Sequence, residues 1–454
     1  MENRREMLEK APLLGLLVRM SLPAMAGMLV MASYNVVDAV FIGHGVGPLG
    51  IAATSVAFPL QLFVNALAMW VAMGTASLAS RKLGAGSNVQ AEYALGNGFV
   101  LACILGALTL AAGEIWLDPL IALMGAETEV AEYSREYLRI AFLGNPLVIL
   151  GMLLNSSIRA EGNTRYAMFS MIYPAMLNVF LDPLFIFGFK MGMAGAAWAT
   201  VIGQVVTLLW VLRYYLAGKR AIIALRFSRM RLLWGIDRQI ISVGASEFAR
   251  SAALTLANAI LMNQISSYGS PLHIAAFAII MKVTSLAVMP VFGLGQGMQP
   301  IVGYCYGARL YERTRRTIEI ALAVALVITS VGEFFLLAFP QVFALAFTDD
   351  AEVIKITVWG IRVLQCTFAI VGFQMIGSVT FQALGIAGPA LFLSLARQVI
   401  FFIPSLLLLP RWFGITGVYL AYPVADVLAA LTTFFFLLSY RGRLKKMERR
   451  QIEQ

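Results

Sequence analysis

Apolar residues run in long unbroken stretches along this chain, divided by short polar segments, and no stretch alternates with a period of two. A helix needs roughly 20 apolar residues to cross a bilayer. A continuous run fits a helix, whereas a barrel strand would alternate. The pattern predicts twelve spans, at 13–42, 52–80, 93–116, 133–154, 165–188, 194–216, 238–265, 273–303, 315–339, 357–380, 389–409 and 415–439. The expected fold class is an all-α membrane protein of twelve transmembrane helices. Pro23 falls inside the first stretch and leaves two readings open. Either a short interfacial helix ends near Ser21 and a new one starts with Pro in its first turn, or one long helix is kinked there.

The pattern also repeats. At a constant offset of 223, Ile51-Ala52-Ala53 matches Ile274-Ala275-Ala276, Gly74 matches Gly297, and Gly84-Ala85 matches Gly307-Ala308. Ala160 and Gly162 likewise match Ala383 and Gly385. The register holds across three loops. Six spans per half is an even number, so the two halves are expected to be parallel repeats with a cavity at their interface. The expected organisation is an N-terminal six-helix lobe at 1–216, a connector at 217–237, a C-terminal six-helix lobe at 238–440 and a basic tail at 441–454.

Composition supports the membrane reading. Hydrophobic residues make up 60% of the 454 and charged residues 13%, and a soluble domain carries about twice that charged fraction. The net charge of +10 would suggest nucleic acid if it were clustered on a soluble surface. Here the basic residues sit in alternate loops. With the N-terminus inside, the cytoplasmic segments hold 23 Lys and Arg, and the opposite segments hold only Lys190, Lys355 and Arg411. That bias predicts both termini in the cytoplasm and no nucleic-acid partner. No cleavable signal peptide is expected, because the first apolar stretch runs on past Phe41. Cys103, Cys305 and Cys366 lie in apolar context without CxxC spacing, and His44 and His273 have no second ligand at metal spacing. No nucleotide or hydrolase motif is present. An enzyme is therefore not expected, nor any cofactor, and the energy must come from an ion gradient.

Charges buried in a bilayer are expensive and usually functional. Asp38 lies among Val36, Val37, Ala39 and Val40, and Asp182 follows Leu177-Asn178-Val179-Phe180-Leu181. Asn178 and Asp182 are four apart and share one helical face. Tyr34 and Asn35 give the first helix a matching polar stripe. Two carboxylates meeting in a low-dielectric site need a proton or a cation between them, and hard oxygen ligands suit Na⁺. At the offset, Asp38 maps to Leu261 and Asp182 to Ser405, so the acidic chemistry is expected in the first half only. The second half holds Glu247 and Arg250, which are spaced to pair on one helix, with Lys282, Glu333, Arg397 and Asp426. Lys282 and Arg397 are expected to line a cavity or to pair between helices, with anchoring of a helix end as the alternative. Gly293-Leu294-Gly295-Gln296-Gly297 reads as close helix packing or a bending point.

Several segments resemble the multidrug and toxin extrusion (MATE) transporters over nearly the whole chain. They are Ser21-Leu22-Pro23-Ala24, Asn35-Val36-Val37-Asp38, Arg159-Ala160-Glu161-Gly162-Asn163-Thr164, the run Leu294–Tyr304 with Gly307-Ala308, and Phe381-Gln382-Ala383-Leu384-Gly385. The resemblance implies antiport of cationic or amphipathic organic compounds against Na⁺ or H⁺. It implies a cation site at Asp38, Asn178, Asp182 and Thr200, with Tyr34, Asn35, Tyr137 and Asn155 in the surrounding polar network. Asp38, Asn178, Asp182 and Thr200 would be the Na⁺ ligands if sodium is the coupling ion. Span 10 has no acid, which disfavours a cation site in the second half. The expected partners are drug-like organic cations and the bilayer of the cytoplasmic membrane, and a monomer is expected to suffice. The alternative is a flippase for a lipid-linked precursor, with Lys282 and Arg397 at an anionic headgroup.

Overall fold

The structure is a computed structural model that describes residues 2–125, 128–216 and 221–453; the side chains of residues 2, 3, 35, 128 and 452 lie outside it. The described residues are helical almost throughout, with no strand among them. The chain divides into two compact units, Met1–Lys10 with Ala26–Gly244, and Ala11–Met25 with Ala245–Gln454.

Helices α1 (Glu2–Lys10) and α2 (Leu13–Gly45) come first. The latter runs unbroken through Pro23, so the reading of two separate helices there is not met. The first unit continues with α3 (Pro48–Gly84), α4 (Asn88–Ile115), α5 (Leu117–Leu123), α6 (Thr128–Leu143), α7 (Asn145–Ala160), α8 (Thr164–Pro183) and α9 (Gly192–Leu216). Then follow α10 (Trp234–Tyr268), α11 (Pro271–Gly307), α12 (Tyr311–Ala338), α13 (Pro340–Leu345), α14 (Ala351–Leu364), α15 (Phe368–Leu384), α16 (Ala387–Leu395), α17 (Ile403–Leu408) and α18 (Pro410–Ile452). Among the described residues nine helices are long and apolar enough to cross a membrane, and two bent pairs add two more. The twelfth long helix is α10, made less apolar by Glu247, Arg250 and several Ser and Asn residues.

The repeat is written into the helix ends. α3 and α11, α4 and α12, α6 and α14, α7 and α15, and α8 and α16 each start 223 residues apart. α3 and α11 both open on a proline, whose missing N–H costs nothing in the first turn. Gly162 and Gly385 take the left-handed conformation at matching helix ends. The register slips by one in the last span. The left-handed glycines Gly192 and Gly414, with Gly195 and Gly417 behind them, are 222 apart. Between α8 and this point each half contains a π-helical segment, Leu184–Gly188 and Ala396–Phe402.

Three features were not visible in the hydrophobic pattern. Span 4 is broken at Gly144 and bent by 45°, and span 10 is broken at Gln365–Thr367 and bent by 54°. The basic tail is a helical continuation of α18, tied to α12 by Arg315–Glu448 (3.6 Å) and Arg441–Glu319 (2.9 Å). The glycine-rich stretch of α11 does serve close packing. A Cβ at Gly293 would lie 2.8 Å from the Met25 backbone, and one at Gly297 would lie 2.6 Å from Ser21 Cα. Each unit has its own apolar core. In the first it gathers around Leu138, Met193 and Ala197, and in the second around Leu261, Ile280 and Phe277.

Candidate functional site

Asp182 sits on the buried face of α8 immediately before Pro183 and the π-helical turn, with no solvent exposure. Proline removes one backbone donor and the π turn re-registers the helix, so the backbone around Asp182 is irregular, as at many functional sites. Asp38 of α2 is its neighbour. Among the described residues neither oxygen of Asp182 has a hydrogen-bond donor, nor has Oδ1 of Asp38 or Oδ1 of Asn178, and all four atoms are buried. Thr200 of α9 donates to the Ala196 carbonyl at 3.1 Å, which leaves its oxygen able to accept. Tyr34 and Tyr137 lie beside Thr200 and the carboxyls, and Gln61 Nε2 donates to the Tyr137 hydroxyl at 3.0 Å. The interior of the first unit thus gathers the two acids with four further oxygen-bearing side chains, Asn178, Thr200, Tyr34 and Tyr137, and among the described residues no basic side chain is bonded to either acid.

The structure brings Asp38, Asn178, Asp182, Thr200, Tyr34 and Tyr137 into one neighbourhood. The side chain of Asn35 lies outside the described residues. Asn155 belongs to a different group near the end of α7. It donates to Ser170 Oγ (2.6 Å) and the Ala167 carbonyl (2.9 Å) and accepts from Arg159. Sequence reasoning passed over Gln61, Asn145 and Gln204. Gln204 was legible, being one helical turn after Thr200 on the same face. Its Oε1 lies against Gly144 at the break of span 4 and has no hydrogen-bond partner among the described residues, nor has Asn145 Nδ2.

The buried charges of the second unit compensate one another. Arg250 donates to Glu247 (Nε to Oε1, 3.1 Å), as their spacing predicted, and Gln382 donates to the other oxygen at 3.4 Å. Arg397 pairs between helices with Asp426 at 2.6 Å, and Thr367 reaches Asp426 at 3.5 Å. Glu333 accepts the backbone N–H of Ala369 at 2.9 Å, where α15 begins after the break. Lys282 is exposed, and its Nζ lies 5.8 Å from the centre of the Phe347 ring.

A third polar cluster closes the end of the first unit that carries the chain's N-terminus. Glu161, fully buried, accepts from the Tyr214 hydroxyl (2.8 Å) and from the backbone N–H groups of Ile222 (2.8 Å) and Ile223 (3.3 Å), with Arg4 Nη1 at 3.9 Å. Burial pushes its carboxyl up to about 7, against the pull of those donors and of Arg4.

The MatE family model matches residues 23–184 and 248–407, that is, both halves of the repeat. A FAD transporter of Shewanella oneidensis is 28% identical over 445 residues, covering 96% of each chain. The multidrug export protein MepA of Staphylococcus aureus is 26% identical over 442 residues, again covering 96% of each. Among solved structures, a MATE protein in complex with MaL6 superposes with a TM-score of 0.92 at 26% identity, covering 97% of this chain and 99% of that one. A MOP superfamily transporter from Pyrococcus furiosus, described as having a binding pocket of reverse polarity that suggests a different function, superposes with a TM-score of 0.91 at 27% identity, covering 97% of this chain and 98% of that one. Both the repeat geometry and these likenesses extend over the whole chain: it belongs to the MATE family, and it is a multi-pass membrane transporter rather than an enzyme.

Proposed function

We propose that the chain is a secondary antiporter that exports cationic or amphipathic organic compounds in exchange for Na⁺ or H⁺. The coupling cation is held by Asp38, Asn178, Asp182 and Thr200, with Tyr34, Asn35 and Tyr137 around them. The observation that carries this reading is the pair of neighbouring carboxyls whose buried oxygens lack donors among the described residues. Such a pair is stable in a membrane interior only with a proton or cation between its members. The MepA likeness supports a drug-like cargo. Both termini are placed in the cytoplasm by the basic-residue bias, the membrane is the cytoplasmic one, and the monomer is the working unit.

An antiporter needs a group whose charge state biases two conformations differently, because a ligand without differential affinity drives nothing. Asp38→Asn keeps shape and hydrogen bonding but cannot ionise. Ion-driven efflux of a fluorescent cationic dye from everted vesicles, at matched expression, is expected to fall at least tenfold in this variant, and similarly in Asp182→Asn. Thr200→Ala is expected to weaken Na⁺-driven more than H⁺-driven efflux. Wild-type efflux by Asp38→Asn would remove the coupling role. The FAD transporter relative motivates a second reading, a flavin dinucleotide as cargo; FAD uptake by the same vesicles, with no dye transport, would favour it.

A further inference from the structure

The polar residues of the first unit continue well beyond the carboxyl pair. The buried face of α8 carries Asp182, Asn178 and Ser170. One face of α9 carries Thr200, Gln204 and Thr207, spaced by four and three residues, and Tyr214 lies seven residues further on. The rise from Thr200 to Tyr214 is about 21 Å, most of the roughly 30 Å of a bilayer's apolar core. α7, α8 and α9 pack on one another, and Thr207 stands against Gly151 of α7. Along the way the buried polar atoms Asn178 Oδ1, Gln204 Oε1 and Asn145 Nδ2 have no partner among the described residues. At the far end Tyr214 is bonded to Glu161 and Arg4.

The second unit is an internal control, because the buried polar residues between its equivalent helices bond one another: Gln374 donates to the Leu393 carbonyl (3.2 Å) and the hydroxyls of Ser378 and Ser394 meet at 2.9 Å. Ser170 corresponds to Leu393, Asn178 to the Ile400–Phe401 position, Asn145 to Phe368 and Glu161 to Leu384. By the Gly195–Gly417 register Thr207 corresponds to Ala429 and Gln204 to Asp426. Asp426 is held by Arg397 and Thr367, whereas Gln204 Oε1 faces Gly144 without a donor. The fold therefore does not require unpartnered polar side chains at those positions. Unpaired polar atoms are costly in a membrane interior unless water reaches them, and here they line up in the unit that holds the carboxyl pair.

We infer that a hydrated path between α7, α8 and α9 of the first unit joins the Asp38–Asp182 pair to the Glu161 end of that unit, and that the coupling cation passes along it. This rests on the coupling role proposed above. A proton would move along bridging waters and hydroxyls, and Na⁺ with part of its water shell.

The test compares two fully buried, repeat-matched positions, Ser170 and Leu393. In a background with Cys103, Cys305 and Cys366 replaced, Ser170→Cys and Leu393→Cys are treated with 2-aminoethyl methanethiosulfonate from the Glu161 side, with a thiol scavenger opposite. Ser170→Cys is expected to react at least tenfold faster. Equal rates overturn the path. In the second arm Thr207→Val is expected to lower ion-driven dye efflux at least fivefold, and Thr207→Ser to restore it. Fast labelling with undiminished Thr207→Val efflux overturns passage of the ion. Should Thr207→Val not reach the membrane, labelling decides alone. Loss of efflux in Asp38→Asn, with equal labelling and normal Thr207→Val transport, leaves the coupling role standing and removes the path; normal Asp38→Asn efflux removes the coupling role instead.

Discussion

Glu333 and Leu110 occupy equivalent places in the two halves, and one N–H separates their roles. Where the second half has Ala369, whose amide at the start of α15 needs an acceptor, the first half has Pro146, which has no amide to satisfy. A buried donor without an acceptor is costly, so Glu333 is explained as a cap on a broken helix. The sequence displays the embedded acid but not this use, because the break that frees the amide depends on packing. The same holds for Glu161, whose role follows only from Tyr214 and the connector amides around it. Its behaviour with pH follows from burial. A carboxyl at about 7 when folded, against an ordinary 4.5, binds more protons folded than unfolded between those values. Its contribution is full below about pH 4.5, is lost as pH rises toward 7, and changes little above. A shift of that size corresponds to about 3 kcal/mol. Hydrogen-exchange protection at Ile222 and Ile223, corrected for intrinsic rates, is expected to fall between pH 5 and pH 8 in the wild type and to stay flat in Glu161→Gln. Equal slopes in the two proteins would rule out Glu161 as the source.

At the scale of elements, the apolar runs located the long helices to within a few residues, since a membrane span must be apolar along its whole length. They could not show the breaks at Gly144 and Gln365–Thr367, because both halves of a broken span remain apolar. Nor could they show which small residues touch backbone. Gly74 of α3 is one that does. A Cβ there would lie 2.1 Å from the Ile240 carbonyl oxygen, whereas one at Gly151 of α7 would meet only Thr207 Cγ2 at an ordinary 3.5 Å. Overpacking against backbone costs about 1–3 kcal/mol, and removing glycine from a helix interior gains about 0.5–1 kcal/mol. Gly74→Ala is therefore expected to lower the melting temperature in detergent, and Gly151→Ala to leave it equal or raise it. The reverse order would contradict the close approach of α3 to the start of α10.

For the whole molecule, the repeat was the most legible property, because a duplicated unit preserves spacing even where its chemistry diverges. The acids at Asp38 and Asp182 were legible for the complementary reason, having no counterpart at Leu261 and Ser405. Thr200 and Tyr137 came only from family resemblance; Gln204 was legible once Thr200 was placed, one helical turn before it, and Gln61 came only from the structure, since a neutral polar residue in a span is not conspicuous until its neighbours are known. Orientation in the membrane rests on loop charge. Gln90→Cys and Asp349→Cys, both at exposed positions, are expected to react with an impermeant maleimide from opposite faces in a cysteine-free background, Gln90 from the cytoplasm. Labelling from one face would overturn the topology.

The one-residue slip between the halves bears on how the two copies diverged. Deleting a residue from a regular α-helix turns everything beyond it by about 100°, which would swing the whole of a final span away from its partners. The π-helical segments Leu184–Gly188 and Ala396–Phe402 lie in the stretch where the lengths differ, and a wide turn can take up or release one residue while the helix continues. Asp182 stands at the edge of that elastic stretch, and Thr200 and Gln204 stand beyond it. A lineage could thus re-aim an acid relative to the next helix through a change of chain length, with no exchange of side chains, and a substitution-by-substitution comparison of relatives would overlook it.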